Sequence, residues 1–282
     1  MNPAAPRLPA VIVPVFNAAD ELDACLASLA ATVPAPGEVL IIDDASPDPA
    51  VRRLLGAWAA RNRPGWRFLR HLENRGFVGT ANRGMRMTSG DVVLLNSDTL
   101  AAPGWLQGLQ RCLDADPAIA TATPWTNNGE IASLPEFCRA NPVPPKLEAV
   151  AAAIRASGPP TYPELPTAVG FCMAVSRRAI SRVGLFDEAL FGRGYGEEND
   201  FSLRAAQAGL RNVLCDDVYV AHRGGRSFGP LGLAPDSSSM QRLLSRHPEY
   251  LERVQAFIRD DPLATRRDAV VAALHRAAVA LR

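Results

Sequence analysis

Along the first 125 residues, short runs of β-branched and large apolar residues alternate with segments whose apolar positions recur every three or four residues. Ala10 to Phe16, Val39 to Ile42 and Val92 to Leu95 are apolar at consecutive positions, the pattern of strands buried on both faces. Pro14 stands near the end of the first run, where a missing ladder donor is tolerated. Trp66 to Leu69 makes a weaker strand, and Ala118 to Thr123 another. Between them lie helical segments: Asp20 to Ala31 with Leu22, Cys25, Leu26 and Leu29 in phase, one after the Pro-Asp-Pro turn through Trp58, a short one from Gly76, and Pro103 to Leu113. Strand and helix in alternation predict a mostly parallel sheet with helices on both faces, with Val92 to Leu95 as its central strand.

The pattern changes after Thr123. Pro124 to Pro166 is rich in proline and loop residues, interrupted by an alanine-rich helix from Lys146 to Ala156, and reads as the rim or lid of a second binding site. Thr167 to Ser176 predicts a strand, followed by a short helix with Arg177, Arg178 and Ile180. A helix with acidic residues in its first turn then runs to Gly209, and Val213-Leu214 and Val218 to Ala221 predict two short strands. From residue 236 to 282 the chain is helical, with Val271, Leu274, Ala278 and Leu281 on one face and arginines elsewhere. That face suits docking on the body or on a partner better than membrane insertion.

The strands end in chemistry. The first leads into Asn17, the second into Asp43-Asp44-Ala45-Ser46 and the central one into Asn96-Ser97-Asp98, and parallel pairing brings these ends to one edge, where open α/β sheets collect ligands. Each residue type also serves in turns and N-caps, so Asp98 alone equally suits capping the helix near Pro103. Gly76 and Gly79 open a helix beside Arg75 and Arg83, a loop that admits a phosphate or a base as readily as it makes a plain turn. Glu197, Glu198 and Asp200 complement a helix dipole, yet three acids in four residues repel one another unless paired, buried or near a cation. His222, at a strand end beside Arg223, Gly224, Gly225 and Arg226, is open to a structural role or to metal or diphosphate binding.

Composition narrows the classes. With 48% hydrophobic and 21% charged residues in 282, the chain is a folded globular protein. A net charge of +1, without a Lys/Arg run or aromatic-basic alternation, predicts no nucleic-acid partner. Five cysteines without a C-x-x-C pair predict free thiols in a reducing cytoplasm. The proline-rich start lacks a secretory core, and no apolar run approaches the ~20 residues of a membrane span, so the expectation is a cytoplasmic protein, at most peripheral at the inner membrane face through its last helix.

In the order and spacing of Pro14-Val15-Phe16-Asn17, Asp43-Asp44-Ala45-Ser46, Asn74-Arg75-Gly76-Phe77 with Gly79, Ala81 and Asn82, Asn96-Ser97-Asp98, the strand from Gly170 into Arg177-Arg178, Phe186-Asp187-Glu188, and Glu197-Glu198-Asn199-Asp200 before Leu203-Arg204, the chain resembles the family-2 inverting glycosyltransferases. It is most similar to the bacterial type that builds surface polysaccharides of the cell envelope. The resemblance runs from about Val11 to Ser227. It implies a GT-A fold, a Rossmann-like α/β sheet with a C-terminal helical extension. Residues 1–125 would be the donor-binding half and 126–235 the acceptor-binding and catalytic half of one domain.

The resemblance implies a nucleoside-diphosphate sugar as donor and a growing or lipid-linked glycan as acceptor, with a hexosyl or deoxyhexosyl group transferred. Pro14, Val15, Asn17, Asp44, Arg75, Gly79, Asn82, Asn96 and Ser97 would surround the donor. Asp98, with His222 as a further ligand, would hold Mg²⁺ or Mn²⁺. Glu198 would be the general base, and Trp125, Asn127, Asn128, Gly170, Glu197 and Asp200 would lie on the acceptor side. The family's Asp-x-Asp is here Asn-x-Asp, which removes one charge from the metal site and leaves more to the diphosphate or to His222. The family's Glu-Asp pair is here Glu-Glu, which lengthens the base by one methylene. A non-catalytic nucleotide-sugar or glycan-binding module is the alternative from another class. A nucleotidyltransferase would need a basic loop after the first strand, where this chain has Asn17-Ala18-Ala19.

Overall fold

The pleat of the first strand, β1 (Ala10–Val15), sends Val11, Val13 and Val15 to one face of the sheet and Ile12 to the other. β2 (Val39–Asp43) divides in the same way, and after β3 (Trp66–Arg70) so does β4 (Val92–Leu95), with Val93 and Leu95 on one side and Val92 and Leu94 on the other. A computed structural model describes residues 8–224 and 237–277. With β5 (Thr99–Ala101), β6 (Ile119–Trp125), β7 (Cys172–Val175) and β8 (Arg211–His222), the strands form one eight-stranded sheet of order β3-β2-β1-β4-β7-β6-β8-β5. β1 to β4 pair in parallel, as do β6 and β8, whereas β7 runs antiparallel to β4 and β6, and β5 antiparallel to β8.

Helices α1 (Ala19–Thr32) and α2 (Pro49–Ala59) cover one face, and α3 (Gly76–Arg86) the other. α4 (Trp105–Ala115) joins the first layer. Beyond a loop region containing α5 (Leu147–Ala156), helices α6 (Arg177–Val183), α7 (Glu188–Phe191) and α8 (Glu197–Gln207) extend the second layer. α9 (Ser237–Arg246), α10 (Tyr250–Asp260) and α11 (Ala264–Arg276) follow. A third cluster, with Trp125, Ile154, Leu214, Tyr219, Val270 and Leu274, fastens α11 and α5 onto β6 and β8. This is the GT-A architecture with its C-terminal helices.

Several expectations are revised. The two short strands at 213–221 are one twelve-residue strand, β8, because the acids that interrupt its apolar pattern are satisfied inside the protein. Asp216 accepts from the backbone of Thr161 (3.1 Å) and Tyr162 (3.0 Å) and from Arg266 Nε (2.7 Å), while Asp217 pairs with Arg111 at 3.0 Å. The strand expected over 167–176 contracts to β7, and β5 is an added strand directly after Asp98. The buried face of α11 is Val270, Ala273 and Leu274, with Val271 only half-buried. That face packs on the protein's own body, the first of the two dockings expected of it; Ala278 and Leu281 lie outside the described residues, as do Gly225, Arg226 and Ser227. All five cysteines are free thiols. No helix among the described residues is long and apolar enough to cross a membrane.

α3 lies close on β1 because Gly84 has no side chain. A Cβ there would stand 2.4 Å from Ile12 Cγ2. Gly84→Val is expected to lower stability by about 1–3 kcal/mol, the range for overpacking a filled core. Chemical denaturation checks this as a lower midpoint at unchanged slope.

Candidate active site

Three strand ends meet at the carboxyl edge of the parallel half of the sheet. After β1 the chain turns through Asn17 and Ala18, both left-handed with φ of 58° and 57°. The helix N-cap is Ala18, without a side-chain bond, so Asn17 is not the cap that its position suggested. Its N–H donates to Ser46 Oγ at 2.9 Å, while its side-chain Oδ1 is buried without a partner. Two consecutive non-glycine residues in that conformation cost strain, which is tolerated where a loop is shaped for a ligand.

At the end of β2 the two aspartates divide their tasks. Asp43 is tied to Arg70 and to the Ser46 N–H at 2.9 Å. Asp44, 4% exposed, donates its own N–H to Val15 O and accepts the Arg75 N–H at 2.7 Å, which joins the loops after β1 and β2 to the start of α3. His71 closes this corner, its N–H on Asp43 O and its Nε2 buried without a partner. Burial and the neighbouring Arg83 guanidinium push its pKa down. Gly79 gives α3 room against the Arg75 side chain, at 3.0 Å from a Cβ built there. Asn82 is withdrawn from this group. Wholly buried, it donates to Phe186 O (2.9 Å) and Glu188 Oε1 (2.7 Å) and accepts from Phe186 N–H (3.1 Å), clamping α3 to the segment before α7.

The third strand end is the most closely determined. Asn96 donates its N–H to Phe171 O at 2.9 Å, and its own carbonyl accepts from Thr99 Oγ1 at 2.8 Å. Ser97 and Asp98 are buried, and β5 pairs with β8 in a register that sets Thr99 opposite His222. His222 Nε2 thereby comes within 3.4 Å of Asp98 Oδ1. Its Nδ1 lies 2.7 Å from Asn128 O, a carbonyl that can only accept, so Nδ1 carries a proton, while Nε2 donates to the Asp98 carboxylate when the ring is charged and offers a lone pair when the ring is neutral. The ring stacks on Phe171 with centroids 5.3 Å apart. Burial alone would lower the His222 pKa, but the hydrogen bond and charge of Asp98 outweigh it and raise the pKa. Asn127 fixes the His222 backbone from both sides, accepting its N–H at 2.8 Å and donating to its carbonyl at 2.9 Å.

α8 stands beside Gly170, which precedes β7. Glu198 packs against Gly170, its Cγ 3.6 Å from a Cβ built on that glycine, and accepts from Asn199 Nδ2 at 3.1 Å. Its pKa is raised, chiefly by burial and further by the charge of Glu130. Glu197 is buried with Oε2 unpartnered, and burial together with the adjacent Glu198 charge pushes its pKa well up. Asp200 is turned away. Wholly buried, it receives Arg204 (2.8 Å), Arg246 (3.1 Å) and His247 (2.9 Å), and it ties α9 to α8. Trp125 is also absent from the acceptor side, buried with its Nε1 on Asp216 O at 3.3 Å.

Sequence reasoning missed Phe171, His71, Glu130 and Tyr250, whose phenol is pushed up by burial and by the Glu198 charge. A histidine directly after a strand and an aromatic residue after Gly170 were readable signals for the first two. Nothing in the sequence brings Glu130 or Tyr250 to Glu198.

The sequence profile of glycosyl transferase family 2 matches residues 10–184, well over half of the chain, and the chain belongs to that family. Its fold is GT-A. No curated protein sequence matches. Among solved structures, the chain is similar to GalNAc-T7 with UDP, GalNAc and Mn²⁺ (TM-score 0.58, 16% identity, over 76% of this chain and 44% of that one). It is similar also to the mannosyltransferase PcManGT of Pyrobaculum calidifontis in complex with GDP-Man and Mn²⁺ (0.56, 20%, over 98% and 76%). A third is TarS 1-349 of S. aureus (0.55, 18%, over 88% and 73%). At these identities the likeness is one of fold, and the chain spans less than half of the first of these proteins.

The fate of Asp200 is testable. Asp200→Ala leaves Arg204 and His247 facing a vacated buried site and is expected to cost about 3–5 kcal/mol of stability. Nucleotide binding by the folded fraction should be unchanged; thermal unfolding and nucleotide titration measure the two effects separately.

Proposed function

We propose that the chain transfers a sugar from a nucleoside-diphosphate sugar to an acceptor hydroxyl with inversion at the anomeric carbon, Glu198 acting as general base. One juxtaposition carries this reading: Gly170 supports Glu198, and the next residue, Phe171, stacks on His222, which faces Asp98. A carboxylate fit to take a proton and a carboxylate-imidazole pair fit to meet a diphosphate are thus attached to two successive residues at the start of β7.

Asp98 Oδ1 and His222 Nε2 suit a divalent cation in donor type. Oxygen with imidazole nitrogen favours Mn²⁺ over Mg²⁺, and the hydrogen bond from Nδ1 to Asn128 O is the outer support that a metal-binding imidazole needs. Among the described residues no group of three or more His, Cys, Asp or Glu converges, so two protein ligands would be joined by diphosphate oxygens. Two of the similar structures hold Mn²⁺ with a nucleotide or nucleotide sugar. A bound cation would offset the negative charge that develops on the departing nucleoside diphosphate. Asn96, uncharged, adds a polar contact rather than a third anionic ligand.

On the donor side, the end of β1 at Pro14, the turn at Asn17, Asp44, Arg75, Gly79 and Ser97 surround the nucleotide, with Asp44 accepting from the base; the Val15 side chain is spent in the core. The acceptor enters from the side of Asn127, Asn128, Gly170 and Glu197. Its hydroxyl oxygen attacks the anomeric carbon as the bond from that carbon to the diphosphate oxygen breaks. The hydroxyl proton passes to Glu198, and the nucleoside diphosphate leaves with the electron pair. Base assistance of this kind is typically worth ~10²–10⁴-fold. The acceptor best suited to this reading is a growing or lipid-linked glycan.

Glu198→Gln is expected to abolish transfer while leaving nucleotide affinity nearly unchanged. Retained turnover would remove the base assignment, and a wild-type chain that binds nucleotide sugars across a broad panel without releasing nucleoside diphosphate would favour a binding module. Asp98→Ala and His222→Ala should each weaken Mn²⁺-dependent donor binding, read by calorimetry with and without EDTA.

The pH dependence follows from the sign of the Glu198 shift. The base works only when ionised and burial raises its pKa, so kcat must fall as pH drops through a value above the usual carboxylate ~4.3. Glu130→Gln removes a charge that raises that pKa and should move the acidic limb to lower pH.

A further inference from the structure

One part of the chain is charged with a single sign. From Pro49 to Leu72 it carries six arginines (Arg52, Arg53, Arg61, Arg63, Arg67 and Arg70) and no aspartate or glutamate. Set against a whole-chain net charge of +1, those six leave the remainder at −5. The sequence reading found no basic run because the arginines are spread over a helix, a turn and a strand; the fold gathers them. α2 and β3 form the outer edge of the sheet, since β3 pairs with β2 alone.

All but Arg63 are exposed. Arg67 reaches Glu38 only at 3.7 Å, and Arg70 is held by Asp43. Arg61 lies 3.7 Å over the ring of Trp58, and Arg63 lies over Trp66 at 5.1 Å. Arg52 and Arg53 have no carboxylate partner among the described residues.

This edge also carries apolar surface. Leu72, two residues past Arg70, is wholly exposed at 102%. A shallow groove of about 210 Å³ opens between α2 and β3, with Arg52, Arg70 and Asp43 beside Leu55, Gly56, Ala59, Phe68 and Leu69. Arginines that engage phosphates, next to an unsheltered leucine and an apolar groove, match the headgroup layer of a bilayer and the acyl boundary beneath it. A soluble polyanion would use the charges and leave the leucine and the groove idle.

We propose that the β3 edge, from α2 through Leu72, is a docking surface for an anionic phospholipid bilayer. The docking does not depend on the reaction assigned above: the edge leads through His71, whose N–H bonds Asp43 O, to the donor corner beside Asp44, and lies across β2, β1 and β4 from the Gly170 side.

Sedimentation of the full chain with vesicles tests this, using phosphatidylcholine alone and equal parts phosphatidylcholine and phosphatidylglycerol. The chain is expected to pellet only with the anionic vesicles, and less at high salt. Arg52→Glu with Arg53→Glu should reduce partitioning by about fivefold per arginine. Leu72→Asp should weaken it at both salt concentrations. All these variants should keep the wild-type melting temperature and nucleotide affinity. Equal pelleting with neutral vesicles, or pelleting untouched by the arginine and Leu72 substitutions, would overturn the proposal. So would a chain retained on single-stranded DNA that pellets with neither vesicle, which would make the edge a polyanion site.

Discussion

The site depends on β4 being filled on both sides. Val92 and Leu94 sit in one core and Val93 and Leu95 in the other, while β1 and β7 bond its two edges. A shift of one residue would carry Asp91 or Asn96 into a core position, where a polar side chain without a partner is costly. The end of the strand is therefore set by packing, and with it the Asn96 N–H that meets Phe171 O. From there the determination passes outward: β5 pairs with β8, His222 is laid against Phe171, and its Nε2 is brought to Asp98. A polar pair built on strands in this way is held more precisely than one built on loops alone.

The apolar runs made this half of the molecule legible. β1, β2 and β4 lie where runs of consecutive apolar residues stood, and their polar ends fall at one edge because parallel pairing demands it. β8 was not legible as a single strand, since Asp216 and Asp217 break its pattern. The groups that neutralise them, Thr161, Tyr162, Arg111 and Arg266, are 50 to 106 residues away in sequence. Asn17 and Asn82 read alike as polar residues near glycines, yet one ends a strand with an unpartnered oxygen and the other is spent on Phe186 and Glu188. Sequence reading found the residue types the site needs. It had no means of telling which polar groups the protein itself had already satisfied.

The three acids that open α8 make the same point in energetic terms. In sequence they are equivalent, each able to complement the helix dipole, and three together would repel. The fold separates them by environment. Asp200 obtains two guanidiniums and an imidazole and becomes a structural tie between helices. Glu197 obtains no counter-ion among the described residues, and burial beside Glu198 pushes its pKa up, which disfavours its charged form. That leaves Glu198 as the acid of the three that stands against Gly170.

Its position also bears on the missing methylene difference between glutamate and the family's aspartate. The longer side chain lies along Gly170, with its Cγ 3.6 Å from where a Cβ on that glycine would be. A Cβ at that distance would make an ordinary van der Waals contact, so residue 170 gives the extra methylene a surface to rest on. Because Gly170 is joined to Phe171, the same backbone segment sets the distance from that carboxylate to the imidazole of His222.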